Sequence, residues 1–174
     1  MAAGGQRRAS AGGFSRIELL VTVTILLLLA GVLLERFLYY QELAAKAQLE
    51  STVNLLRMAL RLRQAEMIMA GEEGRLARLE TENPFSWFDR EPTDYVGECS
   101  GRIQGWCYDA PHRELVFRPG HAPHLAVAGG DDCIRLRVRY RNHADGVTKF
   151  PPVVTLTLVA SIDWFGMQRP AGAW

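Results

Sequence analysis

No proline occurs between Phe14 and Ala70, and Gly31 is the only glycine in that stretch. Both residue types disfavour helix, so nothing local interrupts one over its whole length. Charge is scarce in the first part, where only Arg16 and Glu18 carry it between Phe14 and Leu34. The chain as a whole has a net charge of +1, which excludes the general polyanion affinity of a strongly basic domain. A glycine-rich phosphate loop, a nucleophile elbow and a nameable pair of catalytic carboxylates are all lacking. The expectation is therefore a protein that is not an enzyme and holds no cofactor. Internal repeats are absent, which removes the solenoid architectures. Cysteine is limited to Cys99, Cys107 and Cys133, an odd number without metal-ligand spacing.

What remains is dominated by one stretch, Gly12-Gly13-Phe14-Ser15-Arg16-Ile17-Glu18-Leu19-Leu20, and the apolar run that follows it to Leu34. That run has about the 20 residues a helix needs to cross a bilayer. An ordinary secretory signal has a shorter apolar core with a small-residue cut site after it. Here the Gly13-Phe14 junction precedes the run, so cleavage there leaves the helix attached. Arg7, Arg8 and Arg16 flank or open the run, and the positive-inside rule puts that end in the cytoplasm.

Gly13, Phe14 and Glu18, with Glu18 fifth after the junction, resemble the prepilin signal of type IV pilins and type II secretion pseudopilins. The motif is highly specific and covers about the first 35 residues. The resemblance implies cleavage after Gly13 by a membrane aspartic peptidase, the prepilin peptidase, and N-methylation of Phe14. It implies that Glu18 meets the amino terminus of a neighbouring subunit and sets the register of a helical filament. A carboxylate inside a spanning helix is costly and needs such a reason. A carboxylate that stays in the headgroup layer is the bland alternative. Arg16 stands where the family more usually has an apolar residue, and can snorkel to the headgroups. The helix-breaking proline that many major pilins carry after this point is missing, which fits a minor subunit no worse than a major one. The implied shape is the pilin lollipop, single-pass in the inner membrane with a periplasmic C-terminal domain, or outside the cell once assembled.

Along the chain, residues 1–13 read as a leader, 14–34 as the membrane and assembly helix, and 35–82 as its amphipathic continuation with a short helical turn. Residues 83–174 read as a β-rich domain. In the continuation, Leu43, Ala47, Leu49, Val53, Leu56, Leu60 and Met67 step mostly by three or four and form one apolar stripe. Glu42, Lys46, Glu50, Arg57, Arg61 and Arg63 form the expected solvated face. Gly71-Glu72-Glu73-Gly74 should end the helix. Residues 105–109 and 114–118 read as strands of a hairpin, and 121–132 as a loop. Residues 133–141 alternate apolar residues with Arg135, Arg137, Arg139 and Arg141, and 153–162 read as the last strand. One long helix followed by a small antiparallel sheet gives an α+β fold.

Three weaker features complete the reading. An exported domain permits a disulfide, either Cys99–Cys107 or Cys107–Cys133. His121 and His124 sit three apart in a proline-containing loop, where exposed loop histidines outweigh a metal site, as they do for His112 and His143. The arginine face could bind DNA phosphates or a surface ligand, but a solvated strand on a sheet edge, guarded against edge pairing, is favoured. Nucleic acid is thus a partner the residues allow but do not favour. The expected partners are the peptidase, other pilin or pseudopilin subunits and the inner membrane.

Overall fold

The computed structural model describes residues 15–101, 104–142 and 152–174. It divides into two compact units, Met1–Tyr40 and Gln41–Trp174, and the helix α1 (Arg16–Met69) contributes to both.

Within the first unit, every described residue from Ser15 to Tyr40 is exposed. Leu20, Leu27, Leu28, Leu33 and Phe37 are among the bare side chains, so the apolar surface runs round the whole helix. The helix is long and apolar enough to cross a membrane.

The second unit is an α+β body. After α1 the chain turns at Gly71, whose φ of 73° is the left-handed geometry that commonly closes a helix. Two 3₁₀ segments follow, Glu73–Glu80 and Pro84–Trp87. Then come β1 (Tyr95–Glu98), β2 (Gly105–Asp109), β3 (Glu114–Arg118), β4 (Leu125–Val127), β5 (Ile134–Arg141), β6 (Val153–Leu158), β7 (Ile162–Trp164) and β8 (Met167–Arg169). Five strands form one sheet in the order β1-β2-β3-β5-β6, and β4-β7-β8 form a second, antiparallel sheet.

Alternation builds the larger sheet. Trp106 faces Phe117, Tyr108 faces Leu115, Leu115 faces Leu136 and Val138 faces Leu156 across neighbouring strands. These side chains share one buried cluster with Leu49, Val53, Leu56, Leu60 and Met67 of α1 and with Leu76, Leu79 and Phe85 of the 3₁₀ segments. The core therefore lies between one stripe of the helix and one face of the sheet, the α+β packing expected from the element order.

The structure corrects the sequence reading in several places. The larger sheet is mixed, not antiparallel, because β1 runs parallel to β2. Residues 99–104 provide enough chain to retrace a four-residue strand, at about 3.3 Å per residue. Gly105 permits the close approach: its φ is 103°, and a Cβ there would collide with the Asp94 carbonyl. The expected loop at 121–132 contains β4, and the expected last strand at 153–162 stops at Leu158 and resumes as β7. Strands of three residues are too short to show alternation, and it is pairing between them that makes them strands.

Candidate functional site

The first unit carries one carboxylate in an apolar setting. Glu18 lies in the first turn of α1, where the helix dipole favours a negative charge. Its carboxylate is exposed and has no ion-pair partner among the described residues. The neighbouring polar groups are satisfied internally. The Thr22 hydroxyl donates to the Glu18 carbonyl and the Thr24 hydroxyl to the Leu20 carbonyl, each at 2.8 Å. This back-bonding lets threonine sit in apolar surroundings without an orphaned hydroxyl. The head of the helix therefore presents Arg16 and an unpaired Glu18 carboxylate ahead of a surface suited to lipid or to other apolar helices. Gly13 and Phe14, the expected cleavage and methylation residues, lie outside the described residues, as does His143.

The second unit contains a buried polar hub that sequence reasoning missed. Glu42 and Lys46 are expected on the solvated face, yet they are 1% and 9% exposed. Glu42 Oε1 accepts the His124 backbone N–H and the Trp164 indole N–H, both at 2.9 Å. Its Oε2 meets His124 Nδ1 at 2.7 Å. Lys46 Nζ, one turn along, donates to the Trp164 carbonyl at 3.2 Å and lies 5.5 Å from the Phe165 ring centroid. His124 stacks on that same ring at 4.9 Å. Burial by itself would raise the pKa of Glu42. The hydrogen bonds from His124 and Trp164, with the charge of His124, outweigh it and hold the carboxyl below its usual value. Leu43 and Ala47 turn away correspondingly, half-buried and exposed. The hub joins α1 to the β4 region and to β7, so its chemistry is that of a clasp.

The cysteines are divided as one pair and one single thiol. Cys99 and Cys107 form a disulfide between the end of β1 and β2, with Cα atoms 4.9 Å apart, and Cys133 is a buried thiol.

The arginine strand is not the expected sheet edge. β5 lies between β3 and β6, with a partner on each side. Nor is its outer face uniformly solvated. Arg137 and Arg135 both pair with Glu114, which is buried at 5% exposure on β3. Arg135 also approaches Asp131 at 3.4 Å and Asp109 at 3.7 Å. Arg139 and Arg141 are exposed. The loop histidines His112, His121 and His124 are exposed, as expected, although His112 also pairs with Asp109 at 2.9 Å and His124 reaches Glu42 in the hub. No group of three or more potential metal ligands occurs among the described residues.

Comparison with protein-family models, with characterised proteins and with solved structures finds no match for this chain.

Proposed function

We propose that the chain is a structural subunit, a minor pilin or pseudopilin, of a type IV pilus or type II secretion filament. It is made with a leader, cut after Gly13 by prepilin peptidase, methylated on Phe14, and polymerised through the helix of residues 14–34. The observation that carries this reading is Gly13-Phe14 with Glu18 five residues on, set directly ahead of an uninterrupted apolar helix. The unsheathed helix surface supports it, because an apolar helix bare on every side needs lipid or other helices around it. The isolated Glu18 carboxylate supports it too, since a charge in that setting needs a partner that its own described chain does not supply.

In this reading the protein is single-pass in the inner membrane with its N-terminus in the cytoplasm, and residues 41–174 are a periplasmic display domain. The Cys99–Cys107 bond suits an oxidising compartment. The alternative, in which the β5 arginines bind DNA or a surface ligand, is weakened by Glu114, Asp109 and Asp131, which already engage two of those arginines.

Coexpression with a prepilin peptidase tests the reading. Intact-mass analysis should show loss of residues 1–13 and a new N-terminus at Phe14. Cleavage after Leu34, or no peptidase-dependent cleavage, would overturn it.

A further inference from the structure

The part of α1 that belongs to the second unit carries a second apolar stripe. Leu55, Met58, Leu62, Ala65 and Met69 recur at steps of three, four, three and four. All five are exposed, Met58 at 67%, Leu62 at 62% and Met69 at 80%. The residues committed to the core, Leu49, Val53, Leu56, Leu60 and Met67, occupy the opposite side of the helix. Single exposed apolar residues are ordinary, but a continuous row over about four turns marks a contact surface. Counting back in sevens from Leu55 meets Gln48 and then Gln41, so polar residues close the row at its N-terminal side.

The spacing identifies the shape of what covers it. An apolar repeat averaging 3.5 residues is the seam one helix offers to another, with Leu55, Leu62 and Met69 as one set of knobs and Met58 and Ala65 as the other. The flanking charges identify the partner and its direction. Arg61 and Glu66 border the seam on opposite sides, five residues apart. In a parallel, in-register pair of identical helices, each Arg61 faces the partner's Glu66, and the two-fold axis makes the contact twice. An antiparallel pair would set Arg61 against Arg61 and Glu66 against Glu66. Arg61 has no ion pair among the described residues. Among the described residues Glu66 pairs only with Arg63 of its own helix, at 3.2 Å in an exposed pair, and can take a second guanidinium. Ala59 and Ala65 beside and within the seam let two backbones come close.

We infer that the Leu55–Met69 face is the docking surface for a second copy of this chain, bound parallel and in register as a two-stranded helical pair. This goes beyond the filament reading, because it needs neither leader cleavage nor polymerisation. The seam spans only about 22 Å at 1.5 Å per residue, so free in solution the contact is weak. Copies held by a membrane helix meet at high effective concentration and in one orientation, where a weak parallel contact suffices.

The test uses the full, uncleaved chain in membranes of a host without prepilin peptidase. Leu55→Cys, Leu62→Cys and Met69→Cys are made singly, with Arg63→Cys as the off-seam control, and oxidised with copper phenanthroline. The native cysteines do not interfere, since two are bonded and the third is buried. Disulfide-linked homodimers are expected at positions 55, 62 and 69, with none at 63. In the Leu55→Cys background, Arg61→Glu should abolish the dimer and adding Glu66→Arg should restore it. The substituted side chains are all exposed, and circular dichroism of each variant should match wild type. Dimers at 62 but not at 55 and 69 would mean an antiparallel pair, and adducts of another mass would mean a different partner. Absence of any cross-link would mean a face covered by lipid. Each of these three results overturns the inference.

Discussion

Glu42 and Trp164 lie 122 positions apart and are joined by a 2.9 Å hydrogen bond from the indole N–H to the carboxylate. The same carboxylate takes two hydrogen bonds from His124, and Lys46 returns one to the Trp164 carbonyl. A single turn of α1 thereby fixes both the chain entering β4 and the strand β7 that pairs with it. Ile162 and Trp164 of this second sheet are buried in the core cluster, with Leu125 and Val127 packed against it, and the polar clasp adds to that apolar packing.

Removing the Glu42 carboxylate should therefore be costly. Glu42→Ala leaves the Trp164 indole N–H and the His124 backbone N–H without their acceptor, a loss of about 2–4 kcal/mol in denaturant unfolding. Glu42→Gln retains one carbonyl acceptor and should lose about 1–3 kcal/mol at neutral pH. The pH dependence has a definite sign. The folded-state pKa of Glu42 lies below its ordinary value of 4.5, so its stabilisation is present above that value and is lost as the pH falls through the folded one. The stability gap between wild type and Glu42→Gln should be widest near neutrality and close in acid. A gap independent of pH would show that the charge of Glu42 plays no part.

The contrast between this clasp and the apolar core shows what a single sequence reveals. Leu49, Val53, Leu56, Leu60 and Met67 are legible because apolar spacing is a local property of the helix. Strands β2, β3 and β5 are legible because alternation is local too. Glu42 and Lys46 are not, because residue type alone assigns charges to solvent and their partners lie more than 80 residues downstream. The parallel placement of β1 and the interior position of β5 depend on strand order, which no local pattern encodes. Glu114 as the counterion of Arg135 and Arg137 was within reach. It sits on β3, the neighbour of β5 in the sheet, at a position where a carboxylate beside an arginine face invites pairing. The carboxylate at position 18 is legible as a residue out of place in an apolar run.

A second expectation concerns the core. Leu56 is 1% exposed and sits in the cluster that α1 shares with the sheet. A fragment beginning at Gln41 should be folded, because residues 41–174 form a compact unit with their own core. Leu56→Asp in that fragment should remove cooperative unfolding by circular dichroism, since it buries an unpaired carboxylate and deletes apolar volume. Melting of the variant at the wild-type temperature would mean that the helix stripe does not seal the sheet.

The Cys99–Cys107 bond closes a short loop, with a sequence separation of 8. Loop-closure entropy for that length gives about 2.5 kcal/mol of stabilisation. Cys99→Ser with Cys107→Ser should lower stability by roughly that amount and chiefly loosen β1, an edge strand whose other tie to the sheet is its short parallel pairing. Hydrogen exchange should show faster turnover at Val96 to Cys99 while β5 stays protected. Equal protection of β1 in both forms would mean that the bond is dispensable for holding the edge.

The last expectation returns to Glu18. If its carboxylate pairs with a positive group of a neighbouring subunit, removing the charge should affect assembly and leave earlier steps alone. Glu18→Ala makes the helix more apolar, so membrane insertion should be unimpaired. Cleavage after Gly13 should also persist, because the scissile junction is unchanged. Two opposite charges about 4 Å apart attract by roughly 4 kcal/mol at an effective dielectric near 20, and tenfold in an equilibrium takes about 1.4 kcal/mol. Even partial loss of such a pair should therefore cut incorporation into sheared filaments by about tenfold or more. Glu18→Gln separates charge from shape. It keeps the size and the hydrogen-bonding oxygen, so a register set by charge should fail in Gln as it does in Ala, whereas a packing role would spare Gln. Immunoblots of sheared filaments against membrane fractions give both quantities from one preparation. Wild-type incorporation of Glu18→Ala would remove the carboxylate from assembly and leave it as a headgroup-level residue at the mouth of the helix.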